Sequence, residues 1–117
     1  MKKVLIVEDD AIYTDYYKVR LAGKIELLIA EDIKNAIRLF DDNTDLAAIV
    51  MDACLDNPSN PDTMKVVEHI RRSGYTGPMI ANSSVYNTIL IAAGCNVRCN
   101  DSDKYMIPEQ LIELLGL

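Results

Sequence analysis

Short apolar runs that break off at acids or turn residues alternate along this chain with segments of helical spacing. The plainest run is Leu46-Ala47-Ala48-Ile49-Val50-Met51, which stops at Asp52. A run of this length without polar alternation predicts a strand buried on both faces, as at the centre of a parallel sheet. A carboxylate inside such a strand would be desolvated at large cost, so Asp52 belongs at the rim where the strand emerges. A second run, Lys3 to Val7, has the same design and hands over to Glu8-Asp9-Asp10.

The segments between these runs read as helices. Asp10 is a good N-cap for a first helix, whose apolar face by spacing would be Ile12, Tyr16 and Val19, with Gly23 as its stop. Ile25 to Ala30 predicts a second strand with Ile25, Leu27 and Ile29 on one face. Asp32 caps a second helix with the stripe Ile33, Ala36, Ile37 and Phe40. After Asp52 comes a turn-rich loop, Asn57 to Pro61, and Asn60-Pro61 signals the start of a third helix carrying Met64, Val67 and Ile70. Arg71 and Arg72 favour its carboxyl end and Gly74 closes it. Met79 to Ala81 predicts a fourth strand, Val85 to Ala93 a short fourth helix ending at Gly94, and Asn96 to Asn100 contains a fifth strand. Pro108 opens a fifth helix with Leu111, Ile112, Leu114 and Leu115 inside it.

Five strand–helix units with short connections predict an α/β architecture, a parallel sheet with helices on both faces. For five strands the usual order is 2-1-3-4-5, and ligands bind beyond the carboxyl ends of the strands where that order reverses. The reversal falls between strands one and three, the two that end in acids.

Composition narrows the function. The 117 residues suffice for one domain, expected to span 1–117 with no output domain, and half of them are apolar, enough for a real core. A net charge of −6 and a pI near 4.6 argue against nucleic-acid binding through a basic surface. No stretch approaches the roughly 20 apolar residues that cross a bilayer, so no membrane insertion is expected. Lys2-Lys3 precedes too short an apolar segment for a signal peptide, and a cytoplasmic location is expected. Cys54, Cys95 and Cys99 form no C-x-x-C pair, so neither a disulfide framework nor a zinc site is indicated.

The chemistry lies at the strand ends. Glu8 and Asp9 follow strand one, Asp52 follows strand three, Ser83 follows strand four, and Lys104 follows strand five. Carboxylates crowded at one rim repel one another unless a cation joins them, and a hard divalent ion with oxygen ligands, magnesium, fits best. Asp52 is then placed as a nucleophile toward phosphorus, with a hydroxyl and a lysine for the remaining phosphoryl oxygens.

Val7-Glu8-Asp9-Asp10, the apolar strand ending in Asp52, Ser83 after strand four and Lys104 ahead of Pro108-Glu109-Gln110-Leu111 together resemble the receiver domain of bacterial response regulators. The resemblance covers essentially the whole chain and implies the flavodoxin-like doubly wound fold. It implies Asp52 as phosphoacceptor, Glu8 and Asp9 as the acid pair holding Mg2+, and the Cys54 carbonyl as a backbone ligand. Ser83 becomes the hydroxyl that follows the phosphoryl group, and Lys104 the cation that pairs with it. The implied partners are a histidine kinase or phosphotransfer protein as donor and a downstream protein target. The implied role is a stand-alone signalling protein, not an enzyme in its own right, that assists its own phosphoryl transfer and dephosphorylation.

The chain departs from the family pattern in places. Thr63 stands where the family has a glycine, the fourth helix is short, Arg98 replaces an aromatic residue, and Tyr105 replaces the proline after the lysine. Aligned from Gly94 the lysine position falls on Asp101, and aligned from helix five it falls on Lys104; Lys104 is favoured because only a cation serves phosphoryl oxygens. These departures keep open a pseudo-receiver, a constitutive interaction module without phosphorylation. A phosphatase with an aspartyl intermediate needs a second acid two residues after the nucleophile, where this chain has Cys54. His69 reads as a solvated surface residue, Tyr16 as the core tyrosine of helix one, and Cys95 and Cys99 as packing residues.

Overall fold

In a computed structural model describing residues 1–117, strands and helices alternate throughout. They are β1 (Lys2–Val7), α1 (Ala11–Leu21), β2 (Ile25–Ala30), α2 (Ile33–Asp42), β3 (Leu46–Met51), α3 (Met64–Arg72), β4 (Met79–Ala81), α4 (Asn87–Ala93), β5 (Val97–Arg98) and α5 (Ile107–Leu114). Two 3₁₀ turns, Asn100–Ser102 and Lys104–Met106, fill the connection from β5 to α5. Every strand pair is parallel and the order is β2-β1-β3-β4-β5, as the alternation predicted. No helix is long and apolar enough to cross a membrane.

The pleat sorts the strand residues onto two cores. Val4, Ile6, Ala48, Val50 and Ile80 face α1 and α5, packing on Tyr17, Leu21, Ile107 and Leu111. Leu5, Val7, Ile49, Met51 and Met79 face α2, α3 and α4, packing on Ala36, Val66, Val67, Ile70 and Leu90. β1 and β3 are therefore buried on both sides, which explains their unbroken apolar runs. Each fully buried Ile, Leu or Val among them contributes roughly 1.5–3 kcal/mol.

Two predicted features are corrected. The core face of α1 is not Ile12, Tyr16 and Val19: Ile12 is 66% and Val19 77% exposed, while Thr14, Tyr17 and Leu21 are buried. α1 carries few aliphatic residues on any face, and its tyrosines can each pack a ring and keep a wet hydroxyl, so spacing alone does not select the inward face. Tyr17, not Tyr16, is the core tyrosine; Tyr16 is half-buried against the same cluster.

The third helix begins at Met64 rather than at Pro61. Asp62 closes the preceding loop instead of entering a helix. Its Oδ1 accepts from Leu55 N at 2.8 Å and its Oδ2 from Asn57 N at 2.7 Å. The amides of Asp62 and Thr63 both donate back to Ala53 O, tying this stretch to the end of β3. The fourth helix likewise starts at Asn87, two residues after the predicted Val85, because Ser83 to Tyr86 form a turn held by the Ser83 side chain.

Candidate phosphoacceptor and metal site

The site residues sit one step beyond the strands. Glu8 N donates to Ala30 O at 3.0 Å, Asp52 N to Val7 O at 3.0 Å, Asn82 N to Met51 O at 2.9 Å, and Cys99 N to Ala81 O at 2.9 Å. The ladder thus continues one residue past each strand and lines up the four strand ends at one rim. A cleft of about 300 Å³ opens there, lined among others by Glu8, Asp9, Asp52, Cys54, Ser83 and Lys104. A larger hollow of about 550 Å³ lies elsewhere, between the carboxyl ends of α2 and α3, with Phe40 and Tyr75 in its wall and Asp41 its one carboxylate. Volume favours that hollow, but the convergence of charged groups favours the cleft.

Glu8, Asp9 and Asp52 each offer a carboxylate oxygen, and these atoms all lie within 4.8 Å of one another. Glu8 is fully buried, Asp52 is 7% exposed, and Asp9 stands at the open edge. Asp10 does a different job. Its Oδ1 accepts from Ile12 N at 2.9 Å, capping α1, and its amide donates to Glu8 Oε2 at 3.2 Å. Capping by Asp10 leaves Asp9 available to the cleft.

Lys104 reaches in from the turn before α5. Its Nζ lies 2.6 Å from Glu8 Oε1 and 3.2 Å from Asp52 Oδ1. Asp52 Oδ1 also accepts from Ala53 N at 2.8 Å. Of the two registers open for the lysine position, the structure brings Lys104 to the acids. Asp101 is exposed in a left-handed conformation, φ 58°, on the preceding turn.

The electrostatics follow from this crowding. Burial first, and the Asp52 carboxylate second, push Glu8 up to about 7, against the pull of Lys104 and the Asp10 amide. For Lys104 burial alone would favour the neutral amine, but Asp52 and Glu8 outweigh it and lift the ammonium above its ordinary value. Burial, with help from Asp52 and Asp62, also raises the Cys54 thiol. One ammonium among three carboxylates leaves the cluster short of positive charge, and the Asp52 carboxylate adds to burial in raising Glu8. All-oxygen donors with surplus negative charge fit a hard divalent cation such as Mg2+.

Ser83 lies in the cleft wall, 5% exposed. Its Oγ accepts from Val85 N at 3.3 Å and Tyr86 N at 3.0 Å, and its amide donates to Asn87 Oδ1 at 2.8 Å. The hydroxyl thus holds the turn into α4. Cys54 lines the cleft two residues after Asp52. Arg98 is exposed and donates to Thr88 Oγ1 at 3.2 Å, outside the cleft. His69 is half-buried with its Nε2 2.8 Å from Asp41 Oδ1, far from the acids in the fold.

Three contributors were not assigned a role from the sequence. Thr63, fully buried, donates from Oγ1 to Asp52 O at 2.6 Å and to Ala53 O at 3.2 Å, so it pins the loop behind Asp52. Tyr13 presents its ring to Lys104, with Nζ 4.9 Å from the centroid, a cation–π contact. Tyr17 touches the backbone of Lys104. Tyr17 acts on Lys104 across 87 positions and Thr63 on Asp52 across 11, spans that helix and strand periodicity does not encode. Only the replacement of glycine by Thr63 left a trace in the sequence.

No protein-family model matches the sequence, and neither does any curated protein. Solved structures do match. The receiver domain of a sensor histidine kinase from Pseudomonas aeruginosa, with a magnesium ion coordinated in its active site cleft, superposes with a TM-score of 0.78 at 21% identity, covering 99% of this chain and 98% of that one. A two-component response regulator from Clostridium difficile gives 0.76 at 19% identity, covering 99% and 97%. A chain of the Saccharomyces cerevisiae complex between the histidine phosphotransfer signaling protein Ypd1 and the receiver domain of its downstream response regulator Ssk1 gives 0.74 at 21% identity, covering 97% and 88%. At such identities the likeness is one of fold, and the fold of this chain is that of the response regulator receiver domains.

Proposed function

We propose that this chain is a phosphoacceptor receiver in two-component signalling. In this reading Asp52 takes a phosphoryl group from the phosphohistidine of a histidine kinase or phosphotransfer protein. A carboxylate oxygen of Asp52 forms the new bond to phosphorus, the phosphorus–nitrogen bond breaks, and the electron pair leaves with the imidazole. The observation that carries the reading is the meeting of Glu8, Asp9 and Asp52 within 4.8 Å, with Lys104 Nζ 3.2 Å from Asp52 Oδ1. Glu8, Asp9, Asp52 and the carbonyl of Cys54 are the groups that would hold Mg2+. Bound there, the ion would neutralise charge on the phosphoryl oxygens. Lys104 supplies positive charge beside Asp52 and stays protonated under the influence of both acids. Ser83 is the residue whose hydroxyl exchanges its turn-holding bonds for the phosphoryl group. Releasing Val85 N and Tyr86 N would loosen the approach to α4 and alter the surface offered to a downstream protein.

The test is incubation with phosphoramidate and magnesium, followed by intact mass. The wild type gains the mass of one phosphoryl group and Asp52→Asn does not. A wild type with no gain overturns the reading in favour of a pseudo-receiver. The observation favouring that second reading is the Lys104–Glu8 pair at 2.6 Å, which already gives the acid cluster a resident cation.

A further inference from the structure

The backbone of Lys104 is gripped from behind by a buried side chain of α1. Tyr17 Oη donates to Lys104 O at 2.7 Å and accepts from Asn82 Nδ2 at 3.2 Å. Tyr17 and Asn82 are both fully buried. One hydroxyl therefore joins α1, the end of β4 and the turn that carries the lysine. Asn82 is a poor choice for packing alone, since its Oδ1 is buried with no hydrogen-bond partner. A leucine would leave no orphaned acceptor. What the amide contributes is the N–H that orients the Tyr17 hydroxyl toward Lys104.

The gripped segment is otherwise held by its own turn: Asp103 Oδ1 accepts from Tyr105 N at 3.0 Å, Asp103 O from Cys99 Sγ at 3.0 Å, and Lys104 O also from Ile107 N, so Tyr17 is the side chain that bonds the backbone of Lys104 itself. Asp101 and Ser102, both non-glycine, adopt left-handed conformations with φ 58° and 51° just before it. A lysine side chain is a flexible stem. Its ammonium meets two carboxylates at once only if the backbone starts from the right place. We infer that Tyr17 and Asn82 are positioning residues for Lys104, fixing through its carbonyl the point from which the ammonium reaches Glu8 and Asp52. The consequence for phosphoryl transfer rests on Asp52 being the phosphoacceptor; the positional claim does not.

Two arms test it. The first uses neither metal nor phosphodonor. Lys104 Nζ lies 4.9 Å from the Tyr13 ring centroid, so the terminal methylene protons of Lys104 carry a ring-current shift in the proton NMR spectrum. Tyr17→Phe, which removes one oxygen and keeps the ring, moves those resonances toward free-lysine positions. Unmoved resonances overturn the proposal. The second arm follows phosphoryl uptake from phosphoramidate with magnesium. Tyr17→Phe slows it about threefold to tenfold, the worth of one hydrogen bond. In a Lys104→Ala background the same change has no further effect, and full additivity of the two substitutions overturns the proposal. Asn82→Leu slows uptake while the melting temperature holds or rises, a split that a merely structural role does not produce. Asn82→Leu also carries both arms if Tyr17→Phe folds poorly. A wild type that takes up no phosphoryl group defeats the phosphoacceptor reading alone, and the ring-current arm then decides the positional claim.

Discussion

Lys104 Nζ and Glu8 Oε1 stand 2.6 Å apart although 96 positions separate the residues along the chain. The ammonium is 15% and the carboxylate 1% exposed, so the pair is shielded from water on the protein's own terms. A pair this buried is a specific device rather than a source of net stability, because two desolvation costs offset the attraction. Its worth lies in placing a positive charge beside Asp52.

That placement gives the first prediction. Lys104→Met leaves Glu8 buried without its cation, and Glu8 meets this by holding its proton to still higher pH. The fold survives. Phosphoryl uptake on Asp52 falls by about a hundredfold, the scale of losing one electrostatic contact to developing charge. Intact-mass time courses of wild type, Lys104→Met and Asp52→Asn decide it. Equal rates for wild type and Lys104→Met would remove the lysine from the chemistry.

Thr63 supports the acid from below. Thr63→Val keeps the shape but deletes the bonds to Asp52 O and Ala53 O. The expected loss is about 1–2 kcal/mol of unfolding free energy, since a buried carbonyl loses its donor. Urea unfolding of both proteins measures it. A stability unchanged by the substitution would mean that water replaces the hydroxyl.

Gly94 ends α4 at φ 140°, and a Cβ built there would lie 2.9 Å from Arg71 Cγ and 3.1 Å from Val67 Cγ1. Arg71 cannot easily yield, because Nε donates to Gly94 O at 2.8 Å while Nη1 donates to Tyr75 O and Gly77 O. Gly94→Ala therefore combines backbone strain with a clash, and costs about 2–3 kcal/mol. Gly23→Ala is the control: φ is 75° but nothing lies within 4 Å. It costs only the strain, about 1 kcal/mol. Equal losses in thermal melts of the two variants would show that the Arg71 contact relaxes freely.

The alkaline limb of stability should carry a thiol signature. Burial pushes Cys95 up to about 12 and, with Asp103 adding to it, Cys99 up to about 11, from 9.0. The folded protein keeps these protons while the unfolded chain releases them near pH 9.0. Their contribution is whole below that pH and is lost as pH rises through 11 to 12. Urea melts of the wild type lose stability over this range, and a Cys95→Ala, Cys99→Ala double variant loses less. Parallel curves would contradict the assignment. At neutral pH a thiol reagent labels Cys54 in the cleft wall and spares the other two.

β1, β3 and β4 were legible because they are buried on both faces, and their short apolar runs, bounded by acids and turn residues, fit central parallel strands. The acids were legible for the same reason: Glu8 and Asp52 each terminate a run that no charge can enter. α1 was not, because Ile12 and Val19 compete on paper with Thr14 and Tyr17, and only the hydroxyl partners of Tyr17 show which way the helix turns. Asn60-Pro61 misled because a good helix-start signal was overridden by Asp62, whose carboxylate serves the loop amides of Leu55 and Asn57. The ambiguity between Asp101 and Lys104 needed three dimensions, since two 3₁₀ turns absorb the extra residues there.

β5 contributes two residues to the sheet and β1 contributes six. The carboxylates are thus rooted in the centre of the sheet, and the ammonium is carried on a turn beyond its edge strand. Local opening that begins at the β5 margin would draw the cation away while its acid partners stay assembled. Such an opening would leave an acid cup without its resident counter-charge, the form in which an incoming positive ion would meet the least competition.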